Sequence, residues 1–490
     1  MKNVFALLIG TFITVGCART SPQMQIIHDT AEALGGQARI ERINTLVIEG
    51  EGIAPNLGQN LTPDTDLPVW KVTEFSRAID PSKSRMRVKQ IREAQFLFAG
   101  ATVQRQEFGV DGDIAYSIGE DGTATRASEW VARERQREML HHPITIIRAA
   151  LEPESKVSDV RIDGNYQLVD ITNAKDDVLT LSIDRLTKLP ARVSSMSYND
   201  NLGDVVIETS FSDYEEVAGL KLPKQLTTKI DRYPQFDLHV TKNSVDAGAG
   251  DFSAPEAVKA AQVPPRWLPV TVTAEEVGKG IWWLAGSGNH RSILFEFDDH
   301  LTLFEVPVNE MRTLAVIDTA RTLRPNKPLT HAIVSHHHFD HSGGLRAAIA
   351  KGLTIITYRG NVEFFKELAA RKHSIVQDAL ARNPQPLKIE AVDDELILKD
   401  RSMEVRLYHL KNNPREGTNL FAYLPRDRML VQADMYDSTW LQHPWGDNLP
   451  YNLKLHNLQV VKSVPVHGAI QTYADVLKTI QSHRAPAAGS

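Results

Sequence analysis

The sequence predicts a two-domain protein, a mainly antiparallel β domain followed by an α/β domain. Three observations carry that expectation. The chain has 490 residues, and at roughly 100–200 residues per domain it needs more than one core. Hydrophobic residues make up 42% of it, charged residues 24% and aromatics 7%, a folded profile that excludes disorder, collagen-like repeats and coiled coil. The hydrophobic pattern also changes once. Short alternating runs parted by turn residues fill 46–245, whereas helix and strand patterns alternate after 267. A net charge of −6 with no Lys/Arg block sets aside a nucleic-acid partner.

Residues 1–16 read as a secretory signal peptide. Lys2 precedes an apolar run, 4–13, that is too short to span a bilayer as a helix, and small residues follow it. The only cysteine, Cys17, closes this segment, and one thiol can form neither an internal disulfide nor a structural zinc knot. Thr14-Val15-Gly16-Cys17 resembles a bacterial lipobox, with Thr14 standing where Leu is usual. Ala18, rather than Asp, after the cysteine resembles the outer-membrane sorting pattern of Gram-negative lipoproteins. The resemblance implies acylation at Cys17 and a membrane anchor on the periplasmic face of the outer membrane. Cleavage after Ala18 would instead leave a soluble periplasmic protein.

The β-rich domain is expected over 17–252. Helical spacing over 24–34, stopped by Gly35-Gly36, opens it, and a second helical stretch over 127–151 is broken at Pro143. Strand-like runs such as Val205-Val206-Ile207 alternate with turns such as Asp111-Gly112-Asp113. Leu189-Pro190, Phe211-Ser212-Asp213-Tyr214 and Leu222-Pro223 resemble the strand-and-turn pattern of periplasmic lipoprotein-carrier folds. An Ala/Pro stretch, 253–266, reads as a linker, and the second domain is expected over 267–490.

Chemistry concentrates between the strand-like His331-Ala332-Ile333-Val334 and a helix start near Gly343. The segment is Ser335-His336-His337-His338-Phe339-Asp340-His341-Ser342-Gly343-Gly344. In an extended loop His336 and His338 project to one side, and Asp340 and His341 arrive as the chain turns into a helix, so imidazole and carboxylate donors can converge. Donors of this kind without thiolate suit Zn2+, Fe or Mn2+. Gly343 and Gly344 are expected to let backbone pass close to the metals.

This His-x-His-x-Asp-His pattern, after a strand and before a Gly-Gly helix start, resembles the signature of the metallo-β-lactamase-fold hydrolases over about 267–484. The resemblance implies an αββα sandwich with a metal site at one edge. It also implies two later ligands: Asp434, ending the run Met429-Leu430-Val431-Gln432-Ala433, as a carboxylate bridging two metals, and His467, in Val466-His467-Gly468. One position departs from the family. Where a histidine is expected, this chain reads Asn412-Asn413-Pro414-Arg415-Glu416-Gly417, and spacing puts Arg415 in the slot. A guanidinium has no lone pair to offer a cation. The first site is therefore expected to be short of a donor, with His336, His338 and Asp434 alone. The second keeps Asp340, His341, Asp434 and His467, so one Zn2+ is expected, with room for a second. His409 reads as structural.

Around these, Glu305 occupies the place of a carboxylate that orients a ligand histidine, His290 lies in a turn that could overhang the site, and Trp440 and Trp445 could wall a substrate pocket. Trp282 and Trp283 read as sheet packing. The expected function is hydrolysis of a small ester, lactone, lactam or similar substrate by metal-activated water, with Asp340 handling the proton and Arg415 holding an anionic group. The competing expectation is a non-catalytic metal- or lipid-binding lipoprotein whose hydrolase domain lost its chemistry with the histidine.

Overall fold

The structure, a computed structural model, describes residues 21–96, 102–248, 250–286, 288–440 and 444–482; the expected signal segment and Cys17 lie outside them. Ser21 caps the first helix, Pro22–Ala33, by accepting from the Met24 amide, with Pro in the first turn where a missing N–H costs nothing. Gly35, just past the end of this helix, has φ 125°, and a Cβ there would lie 2.1 Å from the Gly219 carbonyl.

Among the described residues the first domain carries one thirteen-stranded antiparallel sheet. Neighbours in sequence are neighbours in the sheet, except that the sixth and seventh strands, Ala124–Arg126 and Lys156–Asp163, stand at its two edges, while the first, Leu46–Pro55, pairs with the last, Tyr233–Val245, and joins the two halves. Alternation decides which face is buried, and bulges reset it. In Val69–Asp80 a register shift between Val72 and Glu74 changes the parity, so that Trp70 and Val72 before it and Phe75 and Ile79 after it all turn inward. The expected helical interruption is two helices, Glu129–Met139 and Pro143–Leu151, parted where Pro143 begins the second. Ile144, Ile146, Ile147 and Ala150 of the second share one apolar core with the sheet. A helix apolar nearly all round is stable only when covered in this way.

The stretch expected as a linker is pinned along the first domain. It holds a short helix, Glu256–Ala260, whose Val258 packs with Ala254 against Tyr116. The Tyr116 hydroxyl donates to the Phe252 carbonyl, and the Arg266 guanidinium lies over Trp130, Tyr198 and Trp267.

The second domain is an αββα sandwich. One sheet of seven strands runs in chain order from Thr273–Gly278 to Lys388–Val392, antiparallel at first and parallel from Leu301–Phe304 onward. The other has six, from Glu395–Lys399 to Gln471–Thr472. Ile293, Phe304 and Ile333 of the first meet Leu407, Ala422 and Val431 of the second in the central core. Helices Glu310–Leu323 and Leu345–Ala350 cover one outer face, and Asn448–Leu455 and Tyr473–Ser482 the other. Trp282 is buried and the Trp283 indole donates to the Pro465 carbonyl, so both belong to the sheet.

The two domains share core. Leu202, Val205 and Ile230 of the first join the apolar cluster of the second, flanked by ion pairs of Arg232 with Glu367 and Arg371 with Asp231. A second contact, the loop between Leu46–Pro55 and Val69–Asp80, reaches the sandwich edge where the metal-type residues gather. No described helix is long and apolar enough to cross a membrane.

Candidate metal centre

The residues expected as ligands sit in the segments that follow strands, where backbone is free to turn and side chains can project over the sandwich edge. His336 and His338 follow Leu329–Ile333, with Asp340 and His341 in the short helical turn Phe339–Ser342. Asp434 follows Met429–Gln432, His467 follows Lys462–Pro465, and Glu305 follows Leu301–Phe304. Glu305 and Asp434 are both held at positive φ, 80° and 59°. Such a backbone costs about 1–3 kcal/mol per non-glycine residue and persists where the surroundings over-determine it.

The side chains form overlapping clusters. His336, His338, Glu416 and Asp434 bring one donor atom each within 4.8 Å of one another, as do His341, Asp434 and His467, and His290, Asp340 and His467. Asp434 is shared by the first two, and its Oδ1 lies 3.2 Å from His341 Nε2 and 3.0 Å from His467 Nε2. The sequence-expected ligands are therefore all brought together, and two residues are added. His290 comes down from its turn to bond Asp340 Oδ2 at 3.3 Å and stack edge-on against His467. Glu416 replaces Arg415 in the slot left by the missing histidine.

That exchange corrects the donor count. Asn412 adopts φ 56°, and the Asn413 side chain accepts from the amides of both Arg415 and Glu416, a local turn that aims the next carboxylate inward. Glu416 is fully buried, with Oε2 3.6 Å from His336 Nε2 and Oε1 3.7 Å from His338 Nδ1. The first cluster thus has four donors. Arg415 lies beside it as a counter-charge: its Nη2 and Nε reach Asp434 Oδ2 at 2.6 and 3.0 Å, and Nε lies 2.8 Å from Glu416 Oε1. Its guanidinium is thus engaged with the protein's own carboxylates.

The outer nitrogens of the histidines are held by the protein. His341 Nδ1 bonds Glu305 Oε2 at 2.7 Å, His467 Nδ1 the Asn289 carbonyl at 2.7 Å, and His338 Nε2 the Asn60 carbonyl at 2.9 Å. An acceptor on one ring nitrogen fixes the tautomer and turns a lone pair inward from the other. His336 Nε2 and His338 Nδ1 are buried and have no hydrogen-bond partner. Inward lone pairs on buried nitrogens facing carboxylates fit a cation.

The electrostatics ask for the same thing. Asp340, Asp434, Glu416 and Glu305 gather around the histidines, and the Arg415 guanidinium pairs with Asp434 and Glu416. Despite burial, Asp434, Asp340 and Glu305 push His341 well above the ordinary imidazole range, and Asp434 pushes His467 up. Burial, and then the neighbouring Asp434, push the Glu416 carboxyl well up. On the other side, burial lowers His338 to about 4 and His336 well below its usual range, which leaves both imidazoles neutral donors. Solvent reaches the centre at Asp340, whose side chain is 29% exposed while those of His336, His338 and Glu416 are at 0%.

The remaining expected residues fall into place around it. The Trp445 indole donates to the Asp434 carbonyl, and Trp440 packs against Trp445 with the Arg415 guanidinium 5.7 Å from its ring. His409 stacks on Tyr358 and bonds the Gly417 carbonyl, outside the clusters. Gly343 and Gly344 serve a different neighbour from the one expected. A Cβ on Gly343 would lie 2.2 Å from the Val308 carbonyl, and one on Gly344 1.8 Å from Thr313 Oγ1, so they admit packing of helix Glu310–Leu323 rather than a metal.

Residues 288–418 match the model of the family described as the metallo-beta-lactamase superfamily. That match lies wholly within the second domain. A curated relative, a linear primary-alkylsulfatase from Pseudomonas sp., is 26% identical over 106 residues, which are 22% of this chain and 15% of the relative's length. Among solved structures, a metallo-beta-lactamase from Pontibacter korlensis is similar over 44% of this chain and 100% of its own, at 12% identity and a TM-score of 0.35. The DIM-1 metallo-beta-lactamase covers 43% of this chain and 95% of its own, at 14% identity and a TM-score of 0.34. A metal-soaked Flv1 flavodiiron core from Synechocystis sp. covers 44% and 61%, at 17% and 0.35.

Proposed function

We propose that the protein is a metal-dependent hydrolase whose centre takes two metal ions, the first at His336, His338, Glu416 and Asp434, the second at Asp340, His341, Asp434 and His467. The observation that carries the reading is the set of inward-facing ring nitrogens around the shared Asp434, backed on the other side by a carbonyl or carboxylate at His338, His341 and His467 and by the Ser335 hydroxyl at His336. Zn2+ suits both donor sets, and the extra carboxylate keeps Fe and Mn2+ compatible with the first. A bound metal would supply Lewis acidity and water acidified toward neutral pH.

The chain's own residues do the rest. Glu305 orients His341, while Gln59 and His290 hold the two oxygens of Asp340. His341 and His290 keep the Asp340 carboxyl well below its ordinary range against the partial desolvation that opposes them, so it stays anionic at neutral pH. As the part of the cluster that solvent reaches, it is where a proton is exchanged with the reacting group. Arg415 pairs with both Asp434 and Glu416, and against burial it holds the Asp434 carboxyl well below its ordinary range, so Asp434 stays anionic and in place.

The alkylsulfatase relative adds sulfate esters to the substrate classes worth trying. The test is elemental analysis of purified full-length protein, then turnover of ester, lactone, lactam and alkyl sulfate panels before and after chelation. Loss of turnover on chelation and its return with Zn2+ or Mn2+ supports the reading; a protein that binds neither metal after dialysis refutes it. We further propose that Cys17 carries acyl chains and anchors the protein at the periplasmic face of the outer membrane, a reading supported by the residues before it.

A further inference from the structure

The first domain contributes to the centre directly. Its loop between Leu46–Pro55 and Val69–Asp80 is braced from within, by the Asn56 amide on the Pro68 carbonyl and by the Asn60 side chain on the Thr62 carbonyl. From that braced frame four consecutive residues reach the two ligand loops. The Gly58 carbonyl accepts from the Phe339 amide at 3.4 Å and the Leu61 carbonyl from the Gly417 amide at 2.7 Å. Between them the Asn60 carbonyl holds His338 Nε2 at 2.9 Å. The Gln59 side chain spans the middle, donating from Nε2 to Asp340 Oδ1 at 2.9 Å and accepting on Oε1 from Arg415 Nη2 at 3.3 Å.

We propose that residues 58–61 are a strap by which the first domain completes the metal centre, and that Gln59 is a positioning residue for Asp340 and Arg415. The inference rests on the metal-centre reading above. The amide of Gln59 suits this place because it offers a donor and an acceptor at once, one to a carboxylate and one to a guanidinium; a charged side chain would satisfy one neighbour and repel the other. Gly58 has φ 75° and a Cβ there would lie 2.4 Å from the Phe339 ring, so the strap can lie this close only with glycine at that point. Asn60 fixes the tautomer of one ligand of the first site, and Gln59 the orientation of one ligand of the second. Both metals are therefore expected to feel the first domain, each through a different residue.

The experiment uses the full chain with Gln59→Ala and Gly58→Val, and two readouts. The first is hydrogen exchange of metal-free protein in peptides containing Phe339 and Gly417. Gly58→Val should speed exchange in both at least tenfold with the sheets unchanged; unaltered exchange would overturn the strap. The second is the rate at which Zn2+ passes from loaded protein to a chelator. Partners of ligand side chains are typically worth about 10–100-fold in metal affinity, so Gln59→Ala should release one of two equivalents that much faster, with the melting temperature of the metal-free protein unchanged. A merely structural role would lower that temperature and loosen both equivalents together. Release within twofold of the unaltered protein would overturn the positioning role. Unaltered protein that holds neither Zn2+ nor Mn2+ refutes the metal-centre reading and the positioning role with it, while the exchange experiment still decides whether the strap docks.

Discussion

Replacing Arg415 by methionine removes the one guanidinium among the buried carboxylates while keeping much of its volume. Arg415 makes two bonds to Asp434, at 2.6 and 3.0 Å, and lies 2.8 Å from Glu416, with all three side chains 6% exposed or less. Removing one partner of such a buried pair leaves an uncompensated charge and costs about 3–5 kcal/mol. For a domain of this size each kcal/mol moves the melting temperature by about 2–4 °C, so chelated Arg415→Met should melt about 6–20 °C below the chelated unaltered protein. Metal changes the sign of the problem, because a dication supplies the charge that the guanidinium supplied. The gap should narrow on loading with Zn2+, and the variant should hold its metal more tightly, since a like charge has been taken away. Scanning calorimetry of the full chain, chelated and loaded, measures both differences. A chelated variant melting within about 2 °C of the unaltered protein would show that Arg415 is not the counter-charge of the centre, and a gap that widens on loading would refute the competition between guanidinium and metal.

Glu416→Ala should bind one equivalent of Zn2+ where the unaltered protein binds two, read by elemental analysis after dialysis; two retained equivalents would show that Glu416 is no ligand. In the first domain burial lowers His141 and His142 to about 3, so both are neutral when folded and take a proton on unfolding below pH 6.5. Stability should therefore fall as pH drops from about 6.5 toward 3, and His141→Gln, which can still bond Ser195, should reduce that slope by about 1.4 kcal/mol per pH unit, measured by urea unfolding at a series of pH values. Cys17→Ser should move the protein from the membrane fraction to the soluble periplasmic fraction; unchanged fractionation and processing would remove the case for an acyl anchor.

Much of the architecture was legible because it is written in local patterns. Alternation over 46–245 marked strands, and Pro143 marked the break between two helices at the residue where the second begins. Strand order was not legible. That Leu46–Pro55 closes on Tyr233–Val245 depends on contacts between residues far apart in the chain, and a period-two pattern is the same whichever neighbour a strand takes. The site divides in the same way. His336, His338, Asp340 and His341 fall within six residues and announce themselves, and Asp434 and His467 each end an apolar run. Gln59 lies 281 residues from the Asp340 that it bonds, and nothing in its own surroundings distinguishes it from any loop glutamine. Glu416 was missed for a subtler reason: spacing alone selected Arg415, and the turn set by Asn412 and Asn413 shifts the inward direction by one residue. A carboxylate adjoining an unusable cation in a ligand slot was the available signal.

That pairing has a charge logic of its own. A histidine in the slot would bring a neutral donor; Glu416 brings a carboxyl to a place already holding Asp434, and burial and that neighbour push it well up toward the protonated form. Arg415, its neighbour in the chain, pairs with the same two carboxylates and opposes that shift without cancelling it, so that a bound cation would complete the balance; ionised, the two residues together carry the formal charge of the single imidazole they stand in for. The replacement is therefore coherent only as a pair. What reads in the sequence as the loss of a ligand is, in three dimensions, an exchange of a neutral nitrogen for a carboxylate and its counter-ion. Because that counter-ion also bonds Gln59, the exchange ties the centre to the first domain.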